Sequence, residues 1–193
     1  MIRKLFKKKI VLITNKVMSR VQGTNYFFIH IPKNGGTSFI NHFCNKKHTG
    51  HHVKPHKSVK TVCIVRNPYD RLVSCYEYAR SDCSYWHKHG SHPYYNYCKN
   101  HTFGQYVDAI VNKKISDLHA KQQTKFINSN TLILKLENLD NDLTLFFGKP
   151  TKLVYENASN HTDITYYDNN TLKKVEQFYE SDFIRFGYEK LSK

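Results

Sequence analysis

Two short stretches carry residue types able to do chemistry. The first is Lys33-Asn34-Gly35-Gly36-Thr37-Ser38. Paired glycines let a backbone come close to an anion, Thr37 and Ser38 add hydroxyl donors, and Lys33 adds a full positive charge. The second is Arg66-Asn67-Pro68-Tyr69-Asp70-Arg71-Leu72-Val73-Ser74. Arginine grips a phosphate through two parallel hydrogen bonds. Ser74 lies about two helical turns further on. Lysine here precedes the glycines, whereas the triphosphate-binding pattern G-x-x-x-x-G-K-[ST] places it after them. That disfavours an ordinary nucleotide hydrolase or nucleotide kinase. A Gly-Gly turn beside a stray lysine would account for the first stretch alone, but not for the second.

Such stretches need strands to present them and helices behind them. Residues Tyr26 to Ile31 form an apolar run that stops at Pro32, the pattern of a short buried strand. Phe39, Ile40 and Phe43 then recur at helical spacing. The unit repeats: Thr61 to Val65 reads as a buried strand, Asn67 as an N-cap, Pro68 as the first helical residue, and Leu72, Val73 and Tyr76 as one helix face. Thr131 to Leu136 reads as a third strand. Helices are expected over Phe103–Val111, Leu118–Ile127, Leu139–Phe147 and Asn170–Glu180, and a long loop over residues 81 to 101. Gly148 and Pro150 close the third of these helices. Alternating strands and helices predict an α/β fold: a single P-loop-like domain with a central parallel β-sheet flanked by helices. Residues 1–22 read as a basic N-terminal segment and residues 23–193 as the domain. Both charged stretches fall at the carboxyl ends of strands, where open α/β sheets bind ligands. Two anion sites on adjacent strand ends point to a nucleotide with phosphates at both ends.

A chain of 193 residues is one domain by default. Its net charge of +15 is concentrated: fourteen of the thirty Lys and Arg lie at or before Arg66, and the first acid is Asp70. The N-terminal third therefore suits an anionic partner and not a cationic one. The five cysteines include no C-x-x-C pair. Cys63 and Cys75 sit in apolar runs and read as small core residues. Cys83, His87, His89, His92 and Cys98 fit no compact zinc template, and a Cys83–Cys98 disulfide is an equally open reading. No metal is expected. Neither a signal peptide nor a membrane span is evident, because the run Ile10 to Thr14 is too short and Lys16 interrupts it.

The residues now carry a resemblance. Ile29-His30-Ile31-Pro32-Lys33-Asn34-Gly35-Gly36-Thr37-Ser38 resembles the 5′-phosphosulfate loop of PAPS-dependent carbohydrate sulfotransferases, usually H-x-P-K-T-G-G-T-S. Val65 to Ser74 resembles their 3′-phosphate motif. His119 with Gln123, Leu136-Glu137-Asn138-Leu139, Asn157-Ala158-Ser159, Asp182-Phe183 and Phe186-Gly187-Tyr188 follow in the order of the branch that holds the heparan sulfate 2-O-sulfotransferases and their short relatives. Asn34 stands where threonine is common.

The resemblance implies sulfuryl transfer from PAPS to an acceptor hydroxyl, on a carbohydrate that could itself be anionic, giving PAP and a sulfate ester. Lys33 would be the catalytic cation at the phosphosulfate. Asn34, Gly35, Gly36, Thr37 and Ser38 would bind the 5′ end, and Arg66 and Ser74 the 3′-phosphate. Other branches use a glutamate between the two motifs, and none exists here. The heparan 2-O branch uses histidine from a comparable place, which makes His52, then His51, then His56 the candidate bases, since imidazole titrates near neutral pH. His119 is a further candidate, or with Gln123 it shapes the acceptor or nucleotide pocket. Asn157 and Ser159 would cover the adenine side. Many family members are anchored Golgi proteins; with no anchor evident, a cytoplasmic or viral setting is expected. The alternative from composition is a non-enzymatic binder of nucleic acid or anionic glycan, using the basic third and the aromatic loop with Tyr85, Trp86, Tyr94, Tyr95 and Tyr97. No specific nucleic-acid motif supports it. Nothing in the sequence reads on oligomeric state.

Overall fold

Five consecutive β-favouring residues, Thr61 to Val65, form a strand buried along its whole length, and this strand sits inside the sheet. A computed structural model of the chain describes residues 18–45, 58–84, 89–90, 92–154 and 164–192. Strands β1 (Ser19–Arg20), β2 (Phe27–Ile29), β3 (Thr61–Val65) and β4 (Thr131–Lys135) lie in that order. β2, β3 and β4 are parallel, in register Phe28↔Val62 and Val62↔Leu132, while β1 is an antiparallel edge. The described helices are α1 (Gly36–Phe43), α2 (Pro68–Arg80), α3 (Tyr95–Asn100), α4 (Phe103–Val111), α5 (Leu139–Phe147), α6 (Asn169–Phe178) and α7 (Glu180–Phe186). The expected α/β fold with its mostly parallel central sheet is what forms. No described helix is long and apolar enough to cross a membrane.

The chain divides into two compact units, one of residues 1–66 with 123–158, the other of residues 67–122 with 159–193. The first unit holds the sheet. Side chains alternate along a strand, so Val62 and Ile64 share a face with Phe28 and Leu134. That face packs with Phe39 and Ile40 of α1 and Leu139 and Leu143 of α5. Phe28 and Phe39 stack with ring centres 4.2 Å apart. Met18 and Val21, beside β1, are buried as well.

The second unit is helical and tyrosine-rich. Its core joins Tyr69, Leu72, Val73 and Tyr76 of α2 to Tyr106, Val107, Val175, Tyr179 and Phe183. A buried phenol needs a partner for its hydroxyl. Each of these has one: Tyr76 donates to the His101 carbonyl at 2.7 Å, Tyr106 to Asp117 at 2.9 Å, Tyr69 to Glu176 and Tyr179 to the Ala120 carbonyl.

Three sequence readings need correction. Leu118 to Ile127 is no α-helix but two short 3₁₀ turns, Leu118–Ala120 and Gln123–Lys125. Arg71 Nη2 and Nη1 donate to the carbonyls of His119 at 2.6 Å and Lys121 at 2.9 Å, acceptors that a helix would need for its own amides. The 81–101 stretch contains α3, anchored by the fully buried Cys98. No disulfide joins Cys83 to Cys98: both are free thiols, one exposed and one buried, and burial pushes the Cys98 thiol up to about 12. The last expected helix forms as α6, and a further short helix, α7, follows it and is closed by Gly187 at φ 63°. Cys63 and Cys75 are fully buried core residues, as expected. Gly148 closes α5 with φ 66°, a left-handed turn that suits glycine.

Candidate functional site

In the first unit, β2 ends at Ile29 and the chain turns through Lys33 to Gly35 into α1. Lys33 holds φ 68°, a left-handed conformation that a non-glycine residue adopts at a cost of roughly 1 kcal/mol or more. Gly35 follows at φ 73°. No side chain caps α1, its first turn contains no acid, and its first i to i−4 bond is Phe39 N–H to Gly35 O at 3.2 Å. The helix end therefore keeps the partial positive charge of its amides, with the Lys33 ammonium nearby in sequence. Thr37 is exposed and Ser38 buried. Gly36 has a further reason to be glycine: a Cβ there would lie 2.3 Å from His30 Cδ2 and 2.6 Å from His30 Nε2.

The same unit holds a buried amide network. Gln123, fully buried, donates from Nε2 to Arg66 O at 2.9 Å and accepts Arg66 N–H on Oε1 at 3.0 Å. Asn34 Nδ2 donates to that Oε1 at 2.7 Å and to Ile64 O at 2.8 Å. Arg66 Nη1 reaches Lys33 O at 3.4 Å, the long end of a hydrogen bond.

In the second unit, α2 begins as its sequence requires. Asn67 accepts the Tyr69 N–H at 3.0 Å, Pro68 takes the first helical position and Asp70 the first turn. Ser74 lies on a buried face of this helix at 6% exposure. Arg71, at 1% exposure, is a structural clamp on the turn that carries His119. Cys75 Sγ donates to the same His119 carbonyl at 3.1 Å.

His119 belongs to a buried cluster. Its backbone N–H donates to Asp117 Oδ1 at 2.9 Å, and its Nδ1 lies 3.2 Å from Asp117 Oδ1 and 3.2 Å from His92 Nε2. Asp117 Oδ2 accepts from Tyr106. Burial pushes the Asp117 carboxyl up, but hydrogen bonding and charge from His119, with charge from His92, outweigh it, so the net direction is below the usual carboxylate value. Ligand-type atoms of His92, Asp117 and His119 fall within 4.8 Å of one another. The Tyr94 N–H on His92 Nδ1, at 3.2 Å, occupies that nitrogen's lone pair and leaves the proton of neutral His92 on Nε2. That proton faces His119 Nδ1, a nitrogen that donates to Asp117 Oδ1 when it carries a proton and accepts from His92 when it does not. His92 thus turns to Asp117 and His119 instead of to Cys83 and Cys98, as the zinc grouping would have required.

The sequence-predicted residues are distributed accordingly. Lys33, Asn34, Gly35, Gly36, Thr37, Ser38, Arg66 and Gln123 lie in the first unit; Ser74 and His119 lie in the second. His51, His52, His56, His87, Asn157 and Ser159 lie outside the described residues. Sequence reasoning missed His92 and Asp117 as partners of His119. The Asp-x-His spacing of 117 and 119 was a usable signal; the link to His92 was not.

The sulfotransferase family model matches residues 13–189. No curated protein and no solved structure gives a significant match. The match spans both motifs and nearly the whole chain, with an uncapped, acid-free helix end behind Lys33, and the chain belongs to the sulfotransferase family.

Proposed function

We propose that this sulfotransferase moves a sulfuryl group from PAPS to a hydroxyl of a carbohydrate acceptor, leaving PAP and a sulfate ester. The observation that carries the reading is the N-terminus of α1. It follows a loop with a lysine, is capped by no side chain and has no acid in its first turn, a donor set suited to a phosphate or sulfate. The roles follow the resemblance of the motifs. Asn34 to Ser38 cradle the 5′ end through their loop backbone and hydroxyls. Arg66 and Ser74 hold the 3′-phosphate. Lys33 neutralises the bridging oxygen as the S–O bond to the nucleotide breaks. The new S–O bond forms to the acceptor oxygen, and its proton passes to a histidine, His52 first, then His51 or His56. The branch we favour is that of the heparan sulfate 2-O-sulfotransferases, with residues 23–193 as the working domain. The basic excess of the N-terminal third supports an anionic acceptor.

Calorimetry with PAP against ATP tests the reading. Tight PAP binding, lost in Arg66→Ala, is expected; equal or absent binding of both nucleotides would overturn it. Labelled-sulfate transfer to a panel of glycans then identifies the acceptor. An unchanged rate in His52→Ala would remove that histidine as the base.

A further inference from the structure

We infer that Asn34 and Gln123 form a positioning latch that ties the loop at Lys33 to the end of β3 at Arg66, and that neither side chain holds the nucleotide itself. The inference rests on the nucleotide reading for its functional consequence and on hydrogen-bond logic for its geometry. Arg66 fixes the orientation of Gln123. A backbone N–H needs an acceptor and a backbone carbonyl needs a donor, so Oε1 must face Arg66 N and Nε2 must face Arg66 O. This two-point bond continues the β3 ladder one residue past Val65 with a side-chain amide in place of a strand.

Gln123 in turn fixes Asn34. Its Oε1 and Ile64 O are both acceptors, so Nδ2 and not Oδ1 must face them, and both Nδ2 hydrogens are then committed. What remains on Asn34 is Oδ1, which accepts from no described residue and, as an acceptor, has nothing to offer a phosphate oxygen. The side chain is also 1% exposed. The Asn34 side chain can therefore act only by holding the loop, whatever its backbone N–H does.

The residue type follows. A threonine, usual at this position of the resembled loop, has one donor hydrogen and could serve Ile64 O or Gln123 Oε1 but not both. Asparagine has two. The latch holds Lys33 against its left-handed backbone conformation, since its neighbour Asn34 is pinned to β3 while Arg66 Nη1 reaches the Lys33 carbonyl. Lys33 and Arg66 are thereby set by one amide network.

The test uses the full chain as wild type, Gln123→Ala, Asn34→Thr and the double variant. Amide exchange without nucleotide is read over residues 33–39 and at Arg66, and PAP affinity is read by calorimetry. In Gln123→Ala we expect about tenfold faster exchange at those amides, with β4 and α5 unchanged, and about tenfold weaker PAP binding. Asn34→Thr should fall between, and the double variant should be no worse than Gln123→Ala, because both changes break one network. Exchange that quickens uniformly through the sheet with PAP affinity intact would make the pair merely structural and overturn the inference. Unchanged exchange and affinity in both single variants would do the same. Faster loop exchange in a protein whose wild type binds no PAP would instead overturn the nucleotide reading and leave the latch standing. Should Gln123→Ala fail to fold, Asn34→Thr keeps one hydrogen bond and decides the matter alone.

Discussion

Helices α1 and α2 each follow a strand of the parallel sheet in the chain, through a short turn, yet their N-termini are finished in opposite ways. The α1 end has a glycine cap, no side-chain hydrogen bond and no acid, and Lys33 precedes it. The α2 end is closed from within: Asn67 takes the Tyr69 amide, Pro68 has no N–H to offer, and Asp70 sets a carboxylate against the positive end of the helix. On the nucleotide reading proposed above, two motifs that look alike as strand, turn and helix would therefore bind anions with different parts. The first would use backbone amides and the helix dipole. The second would use side chains, Arg66 and Ser74. A phosphate gripped by a helix end is insensitive to most side-chain changes, whereas one gripped by a guanidinium depends on it.

The largest expected effect is on Lys33. Lys33→Ala should lower kcat for sulfuryl transfer by about 10²–10³-fold, the range for losing one electrostatic group at a reacting centre, while PAP affinity changes only a few-fold. Steady-state transfer and PAP calorimetry on the same protein check this; an equal fall in both would place Lys33 on the phosphate and away from the bridging oxygen. Arg66→Ala comes next. With side chains alone holding the second phosphate, PAP should bind about tenfold to a hundredfold more weakly, the loss of a charge-assisted pair worth roughly 1.5–3 kcal/mol. Ser74→Ala should cost only a few-fold. A weaker effect for Arg66→Ala than for Ser74→Ala would break the contrast between the two ends.

Asn67→Ala sharpens the contrast from the other side. Removing the cap should cost about 1 kcal/mol and lower Tm by about 2–4 °C for a chain of this size, with PAP affinity unchanged, because the proposed reading gives the second phosphate to Arg66 and Ser74. Thermal melts with and without PAP measure both. Gly36→Ala should behave in the opposite way. Its Cβ would collide with the His30 ring, so the loop must shift, and PAP binding should fall together with Tm.

The legible parts of the molecule were those governed by local chemistry. Thr61 to Val65 is a strand because an unbroken run of that kind is buried on both faces, and Asn67-Pro68 starts a helix through its own cap and ring. Leu118 to Ile127 has helical periodicity, but Arg71, far back in the chain, takes the carbonyls a helix would use. Gly36 was legible as a glycine required by its loop, but the ring of His30, which fills the space where a side chain would be, was not. Nothing in the local sequence pointed from His92 to His119, its contact in the fold. The paired role of Asn34 and Gln123 was equally hidden, since no local pattern joins residues that far apart in sequence. In these cases a hydrogen bond between residues far apart in the chain decides what no local pattern shows.

The smallest effect concerns acid, and it separates the loop at Lys33 from the polar core of the second unit. Residues 33–38 contain no carboxylate. Two carboxylates buried in the second unit, Asp117 and Glu176, show the contrast. Burial raises the Asp117 carboxyl, and His119 and His92 more than reverse that; burial raises the Glu176 carboxyl, and hydrogen bonds from Ser192 and Tyr69 more than reverse that. Both folded values thus lie below the ordinary 3.8 and 4.5. Their contribution to stability is complete above those ordinary values and is lost as pH falls through the lower folded ones. Between pH 7 and 5 Tm should owe nothing to them, and below about pH 4 it should fall. Asp117→Asn should melt below the wild type at pH 7, with the difference narrowing toward pH 3 as the wild-type carboxylate takes up its proton. Amide exchange at pH 3.5 should quicken first at Leu118 to Ala120, whose turn Asp117 caps, and later at the fully buried β3. Simultaneous loss at both places would mean that acid acts on the protein as one cooperative body, and the two regions would then differ in how they bind anions but not in how they resist protons.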